Sequence, residues 1–490
     1  MSGLLTQTVC FACLLAILAS CGGGGEGDKG YSYTVSGAVS GLAGTGLVLQ
    51  NNAQDDLTIT YNGSFSFTKA IPNGGTYAVT IKTLPSGVSQ SCTVINGNGA
   101  INRSPVGNVT VNCVAPQPRF AVDPTGKFAY FANYRSNNMA AYSINAATGA
   151  LTAVAGSPFL AGTNPNAATI APSGKFIYTA NISANTVSAY TINAVTGVLT
   201  PVAGSPFAAG TNPYAVTIDP TEKFAYVANV NSNNVSAYAI TPVTGVLTPV
   251  AGSPFAAGTN PYAVTVDPAG KFAYVANMGS NTISVYTINQ ATGALTAQAA
   301  AATTINPSAV RVDPTGKFAY VANTGSNTIS AYTINQTTGA FGTGTAVGVA
   351  SNPIQVTLNP TGKFAYAANY YSNTLSGFTI DAATGLLAGA SAVAAGTNPY
   401  AFAIHPTINF AYAANFTSNN LSAYTYNATS GVLTQVTGSP YPAGTNPYAV
   451  TIDPTGKFAY VLNAGSSNIS VYAINQITGA LTAGTAVPFP

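Results

Sequence analysis

The phrase DPTGKFAY, beginning at Asp123, returns seven more times in altered form: APSGKFIY from Ala171, DPTEKFAY from Asp219, DPAGKFAY from Asp267, DPTGKFAY from Asp313, NPTGKFAY from Asn359, HPTINFAY from His405 and DPTGKFAY from Asp453. Successive copies start 46 or 48 residues apart. A fixed period of this size constrains the fold more than any composition does, because a unit this small cannot bury both faces of its own sheet and must stack on copies of itself. Each unit runs from the phrase through an Asn-containing loop, a segment like NTISVYTI, a turn ending in Gly, and a last segment like ALTAV. That pattern makes four strands, and four-stranded units repeated around an axis form a β-propeller. The turns ending at Gly149, Gly197, Gly245, Gly293, Gly339, Gly385, Gly431 and Gly479 predict eight blades over residues 116–490, with seven as the alternative because the first inner strand, RFAVD, is poor.

Composition narrows what such a propeller can do. Charged residues are 5% of the 490, while hydrophobic residues are 47%, with 28 Tyr and 21 Phe. So much apolar and aromatic material excludes a disordered chain, and Asn, Thr and Ser must supply the solubility. The net charge of +3 comes from thinly spread side chains, so no run of phosphates can be neutralised and nucleic acid is excluded as a partner. One His and five Cys leave no material for a transition-metal cluster, and neither metal nor cofactor is expected.

The N-terminus carries an address. Residues 8–20 form an apolar run of 13, too short to span a bilayer, and residues 1–20 are expected to be a signal peptide. Leu18, Ala19, Ser20 and Cys21 resemble the bacterial lipobox, although the preceding MSGLLTQ lacks the usual Lys or Arg. The resemblance implies that Cys21 is acylated. Gly22 after it implies sorting to the outer membrane, facing the periplasm or the cell surface, with the membrane as partner through the lipid. Residues 21–30 are a Gly-rich tether. Residues 31–115 alternate in short segments with turn signals and predict a small antiparallel β-sandwich, similar to the Ig-like modules that precede repeat domains in bacterial surface proteins. Cys92 and Cys113 fall on two of its segments and are expected to pair in an oxidising compartment.

The repeat itself resembles the lactonase-like propellers and the YVTN repeat of prokaryotic surface proteins, through YVAN at residues 226–229, 274–277 and 320–323. The resemblance implies an all-β propeller and, as one alternative, a lactonase or sugar-processing hydrolase. Most of its polar residues have a structural reading first. Asp, Pro and Gly at the first, second and fourth turn positions are what a type I turn favours, so the repeated Asp and the Lys after it are turn chemistry. Asp381 and His405 are expected to be turn substitutes in the same sense.

The candidates left over are few. After Asn133, Asn181, Asn229, Asn277, Asn323, Asn369, Asn415 and Asn463 the next position varies, and the large side chains Tyr134, Arg135, Tyr370, Tyr371 and Phe416 are candidate ligand contacts at the mouth of the ring. The competing reading makes them a shield over the core between blades. Arg311 stands where other inner strands carry Thr169, Thr217, Thr265, Thr357 and Thr451, and a cation beside the central channel needs a partner or an anionic ligand. No nucleophile elbow or metal-ligand spacing appears, and no catalytic set can be assembled. The residues alone therefore favour a monomeric, lipid-anchored binding or scaffold protein for a glycan or envelope protein, with the lactonase and a purely structural role as alternatives.

Overall fold

A computed structural model describes residues 31–40, 46–60, 63–83, 91–114 and 120–489. Cys21 and the signal and tether segments lie outside the described residues. From 120 onward the chain builds eight four-stranded antiparallel sheets, the last ending at Ala483. In six of them a short linker segment adds a fifth strand beside the third.

The middle of each sheet shows why the repeat needs neighbours. The second strand, Phe128–Asn133 in blade 1, is buried at all six positions, and its counterparts in the other blades share that pattern. A strand buried on both faces is covered by the blade on either side, so apolar side chains need not alternate with polar ones. One bond then locks each blade to the next. The Tyr of every FAY or FIY phrase donates its hydroxyl to the carbonyl of the turn glycine one blade on: Tyr130 to Gly197, Tyr226 to Gly293, Tyr412 to Gly479. The eighth, Tyr460, donates to Gly149 of the first blade at 3.1 Å, so the series closes on itself. Gly197 shows why that turn must be glycine: its φ is +71°, and a Cβ would stand 2.3 Å from the Phe128 ring.

The turns behave as their sequence requires. Asp123 accepts from the Phe128 N–H at 2.7 Å and the Thr125 N–H at 3.1 Å, and Asp219 and Asp453 repeat both bonds. His405 is fully buried in the corresponding place, and its Nδ1 accepts from the Thr407 and Ile408 N–H groups. Asp381 caps the outer turn of its blade through the Ala383 and Thr384 N–H groups, which hold its carboxyl below the usual range.

Ahead of the propeller, two four-stranded sheets face a core of Val35, Leu47, Leu49, Phe65, Val79 and Val111. The pairings are antiparallel except one: Val35–Ser40 runs parallel to Val106–Val114, with Val106 opposite Val35 and Asn112 opposite Ser40. The alternation of the sequence set the strands but could not set the direction of a pairing between the first and last long strands. The register also places Cys92 directly opposite Cys113.

Candidate functional site

The inner strands of the eight blades surround an axis, each touching the inner strand on either side. Their register is the same throughout. The residue opposite the FAY tyrosine is Ala121, Thr169, Thr217, Thr265, Arg311, Thr357, Ala403 and Thr451 in turn, which makes one level of the channel wall. The hydroxyls join blades: Thr169 donates to the Val216 carbonyl at 2.7 Å, and Thr357 to the Phe402 carbonyl at 3.4 Å. Gln355 adds a bond to the same Phe402 carbonyl at 2.9 Å.

Arg311 breaks this level. It is exposed to solvent on an inner strand whose preceding four residues are buried. Nearby protein atoms remove part of its hydration and pull the guanidinium below its ordinary value, while the side chain keeps its access to solvent. Among the described residues it has no ion-pair partner, the one ion pair being Lys82 with Asp56 in the N-terminal module. Arg311 is the one charged side chain at a level otherwise made of Thr and Ala.

The loop end of the channel differs from the sequence-based expectation. Tyr370 and Phe416 are buried, at 4% and 5% exposure, so they are not free anchors on a solvated loop. Tyr370 meets Tyr400 edge-on with ring centroids 5.8 Å apart, and Phe416 lies at the same distance from Tyr400. Burial pushes the Tyr370 phenol above its ordinary value. Tyr134 is half-buried against a second cluster of Ile182, Tyr214, Val230, Tyr262 and Met278. Arg135 and Tyr371 are the exposed members of the group, Tyr371 at 38%. Sequence reasoning missed the tyrosines of the inner strands, Tyr214, Tyr262, Tyr400 and Tyr448, which complete this aromatic layer. Their signal was NPYA, which recurs at the start of four of the inner strands.

Elsewhere, a pocket of about 280 Å³ lies at the outer side of blade 8, beside Ser470, Tyr472 and Gly484. Gly484 stands where blades 1, 2, 3 and 7 bury Val154, Val202, Val250 and Val436, so the pocket is the space of a missing side chain. Among the described residues no three His, Cys, Asp or Glu come together.

A sequence model of the family described as lactonase, 7-bladed beta-propeller, matches residues 156–260, 250–357 and 343–443, which together span more than half of the chain. The chain belongs to the lactonase propeller family. It carries eight blades where the family description gives seven. Among solved structures it is similar to a protein provisionally named a 6-phosphogluconolactonase from Bacteroides fragilis, at 26% identity over 63% of this chain and 92% of that one, with a TM-score of 0.52. The periplasmic gluconolactonase of Pseudomonas aeruginosa matches at 18% identity over 62% of this chain and 92% of that one, TM-score 0.50. A dihydro-heme d1 dehydrogenase matches at 12% over 76% and 75%, TM-score 0.55. These last two show the fold alone. No curated protein matches.

Proposed function

We propose that this propeller is a lactonase-type protein that takes an anionic sugar lactone into its central channel, with Arg311 as the anchor for the carboxylate or phosphate. The observation that carries the reading is the lone guanidinium on an inner strand, at a level otherwise built of Thr and Ala. The Thr hydroxyls beside it suit the hydroxyls of a sugar, and the family membership and the similarity to the Bacteroides protein support a lactone as the ligand. A positioned guanidinium also favours negative charge developing on a ring-opening lactone near it. This reading displaces the display platform that the residues alone favoured.

The remainder of the proposal concerns placement. Cys21 carries the lipid, the N-terminal module is a spacer cross-linked by Cys92 and Cys113, and the protein sits at the outer membrane as a monomer. The test uses 6-phosphogluconolactone as substrate and 6-phosphogluconate as ligand. Arg311→Gln is expected to weaken 6-phosphogluconate binding and slow ring opening by about tenfold or more, as loss of a charge-assisted contact does, with an unaltered melting temperature. Equal binding and turnover in wild type and variant overturn the reading.

A further inference from the structure

The inner strand next to that of Arg311, in blade 6, departs from the repeat at a second place. Two residues before the Thr and Arg311 level the other strands hold Ala167, Ala215, Ala263, Ala309, Ala401 and Ala449, and blade 6 holds Gln355. The strand is disturbed at the same point. In blade 5 the register shift between Pro307 and Ala309 spans Ser308 alone, whereas in blade 6 the shift between Pro353 and Val356 spans both Ile354 and Gln355. Gln355 is half-buried where Ala309 is buried. Side chains two apart share a strand face, so Gln355 stands on the face of Thr357, about 7 Å nearer the loop end.

The Gln355 amide is held in one orientation. Its Nε2 donates to the Phe402 carbonyl at 2.9 Å and to Thr357 Oγ1 at 3.4 Å, and only the nitrogen end can donate to a carbonyl, so the two ends are not interchangeable. An inner strand is the edge of its sheet, and the Phe402 carbonyl accepts from two side chains of blade 6, which puts it on the free edge bordering the channel. Oε1 is left as a fixed acceptor, since among the described residues no group donates to it. Arg311, one blade back, has the opposite surplus: among the described residues its guanidinium makes no hydrogen bond and no ion pair. A bare oxyanion would meet the Arg311 donors and leave Oε1 without one. A ligand that carries a hydroxyl a few ångströms from its oxyanion satisfies both.

Resting on the assignment of Arg311 as an anion anchor, we infer that Gln355 is a specificity-determining residue of the channel: its Oε1 accepts a hydroxyl of the ligand, which lies along the axis with its anionic end at the Arg311 level and its hydroxylated carbons toward the loop end. The ligand class is a polyhydroxy acid, its phosphate or its lactone. A chain of the same length and charge without hydroxyls is discriminated against, because it leaves the buried side of that acceptor unpaired.

Calorimetric titration of the full chain with 6-phosphogluconate and with 6-phosphooxyhexanoate, which keeps both anions and the carbon chain but no hydroxyl, tests this. Wild type is expected to bind 6-phosphogluconate at least about fivefold more tightly, as one hydrogen bond to an otherwise unpaired acceptor provides. Gln355→Ala installs the residue that the other blades carry and leaves Thr357 on the Phe402 carbonyl, so the melting temperature should hold. That variant should weaken 6-phosphogluconate by about fivefold and leave 6-phosphooxyhexanoate unmoved. Arg311→Gln should weaken both ligands. Equal affinity of wild type for the two, or a Gln355→Ala variant that loses neither ligand or both alike, overturns the role of Gln355 and leaves the anchor standing. Binding of both ligands that survives Arg311→Gln unchanged overturns the anchor, and the inference with it.

Discussion

Seven joints between consecutive blades and the one joint that closes the ring are built from almost the same bonds, and the exception is instructive. At each internal joint a loop Asn in left-handed geometry, such as Asn137 or Asn233, accepts on its side-chain oxygen the N–H of a second left-handed Asn in the linker, Asn164 or Asn260, at 2.8 and 2.9 Å. The same loop Asn accepts a linker N–H on its carbonyl, as Asn137 does from Ala161, the donor being Thr303 or Val349 at two of the joints. At the closing joint Ser467 replaces the loop Asn, with φ at 50°, and Phe489 takes the place of the Ala, its N–H bonding the Ser467 carbonyl. Among the described residues no second Asn bonds to the Ser467 side chain. Instead the Phe489 ring stacks on Phe131 of the first blade at 4.3 Å, and Tyr142 donates to the Pro488 carbonyl at 3.3 Å, as Tyr332 donates to Ala302 inside the ring. Among the described residues no strand is exchanged between the first and last sheets. A ring can thus be closed by replacing a polar clasp with an aromatic one, with the C-terminal residues acting as one more linker.

The largest expected effect breaks that clasp. Phe489→Ala removes a half-buried ring and is expected to cost about 2 to 3 kcal/mol, below the range for a fully buried Phe. Hydrogen exchange should speed up in Phe128–Asn133 and Asn468–Ile474 and stay unchanged in Phe272–Asn277. Uniform change around the ring would show that the seam is not distinct. Next in size is Asn233→Ala at an internal joint, which combines a positive φ with a lost bond and should cost about 2 kcal/mol. Ser467→Ala exchanges one residue for another that pays the same left-handed backbone penalty, and should cost well under about 1 kcal/mol; equal losses at the two sites would deny the difference between joints.

The smallest effect concerns the seventh joint, where His405 holds blade 7 to blade 8. Its Nε2 donates to the Gly456 carbonyl at 2.7 Å while Nδ1 accepts two N–H groups, an arrangement that only the neutral ring satisfies. Burial, opposed more weakly by the Gly456 bond and by Asp453, holds its folded-state value below 6.5. A basic group depressed in the folded state gives stability that is present above 6.5 and lost as pH falls through its lower folded value. Melting temperature should therefore fall below about pH 6.5 in wild type and respond less in His405→Asn, which borrows the cap that Asn359 supplies in blade 6, where it accepts from the Phe364 N–H. Parallel pH profiles for the two proteins would remove His405 from the account.

The blades were legible because turns demand particular residues wherever they occur. DPTG and the turn glycines recur for backbone reasons, and backbone reasons are local. For the loop aromatics the choice between ligand contact and core shield stayed open for the opposite reason. Whether Tyr370 or Phe416 faces water depends on where the next blade sits, which no local pattern states. A clue was nevertheless present: the same position holds Ile182, Val230 and Met278, and aliphatic side chains repeated at one site signal burial more than contact with a ligand. Arg311 could be placed on an inner strand from sequence, but the Thr and Ala level that it interrupts emerged only when the eight inner strands were brought into register.

The parallel pair Val35–Ser40 and Val106–Val114 has a mechanical consequence. With the two strands running the same way, the chain enters the N-terminal module at the Val35 end of the sheet and leaves it beyond Asn112, at the other end. A pull applied between the two termini of the module then slides one strand along the other, so the inter-strand hydrogen bonds share the load at once. An antiparallel pair of the same strands would have opened from one end, bond by bond. The module is built to stay folded under tension along its length.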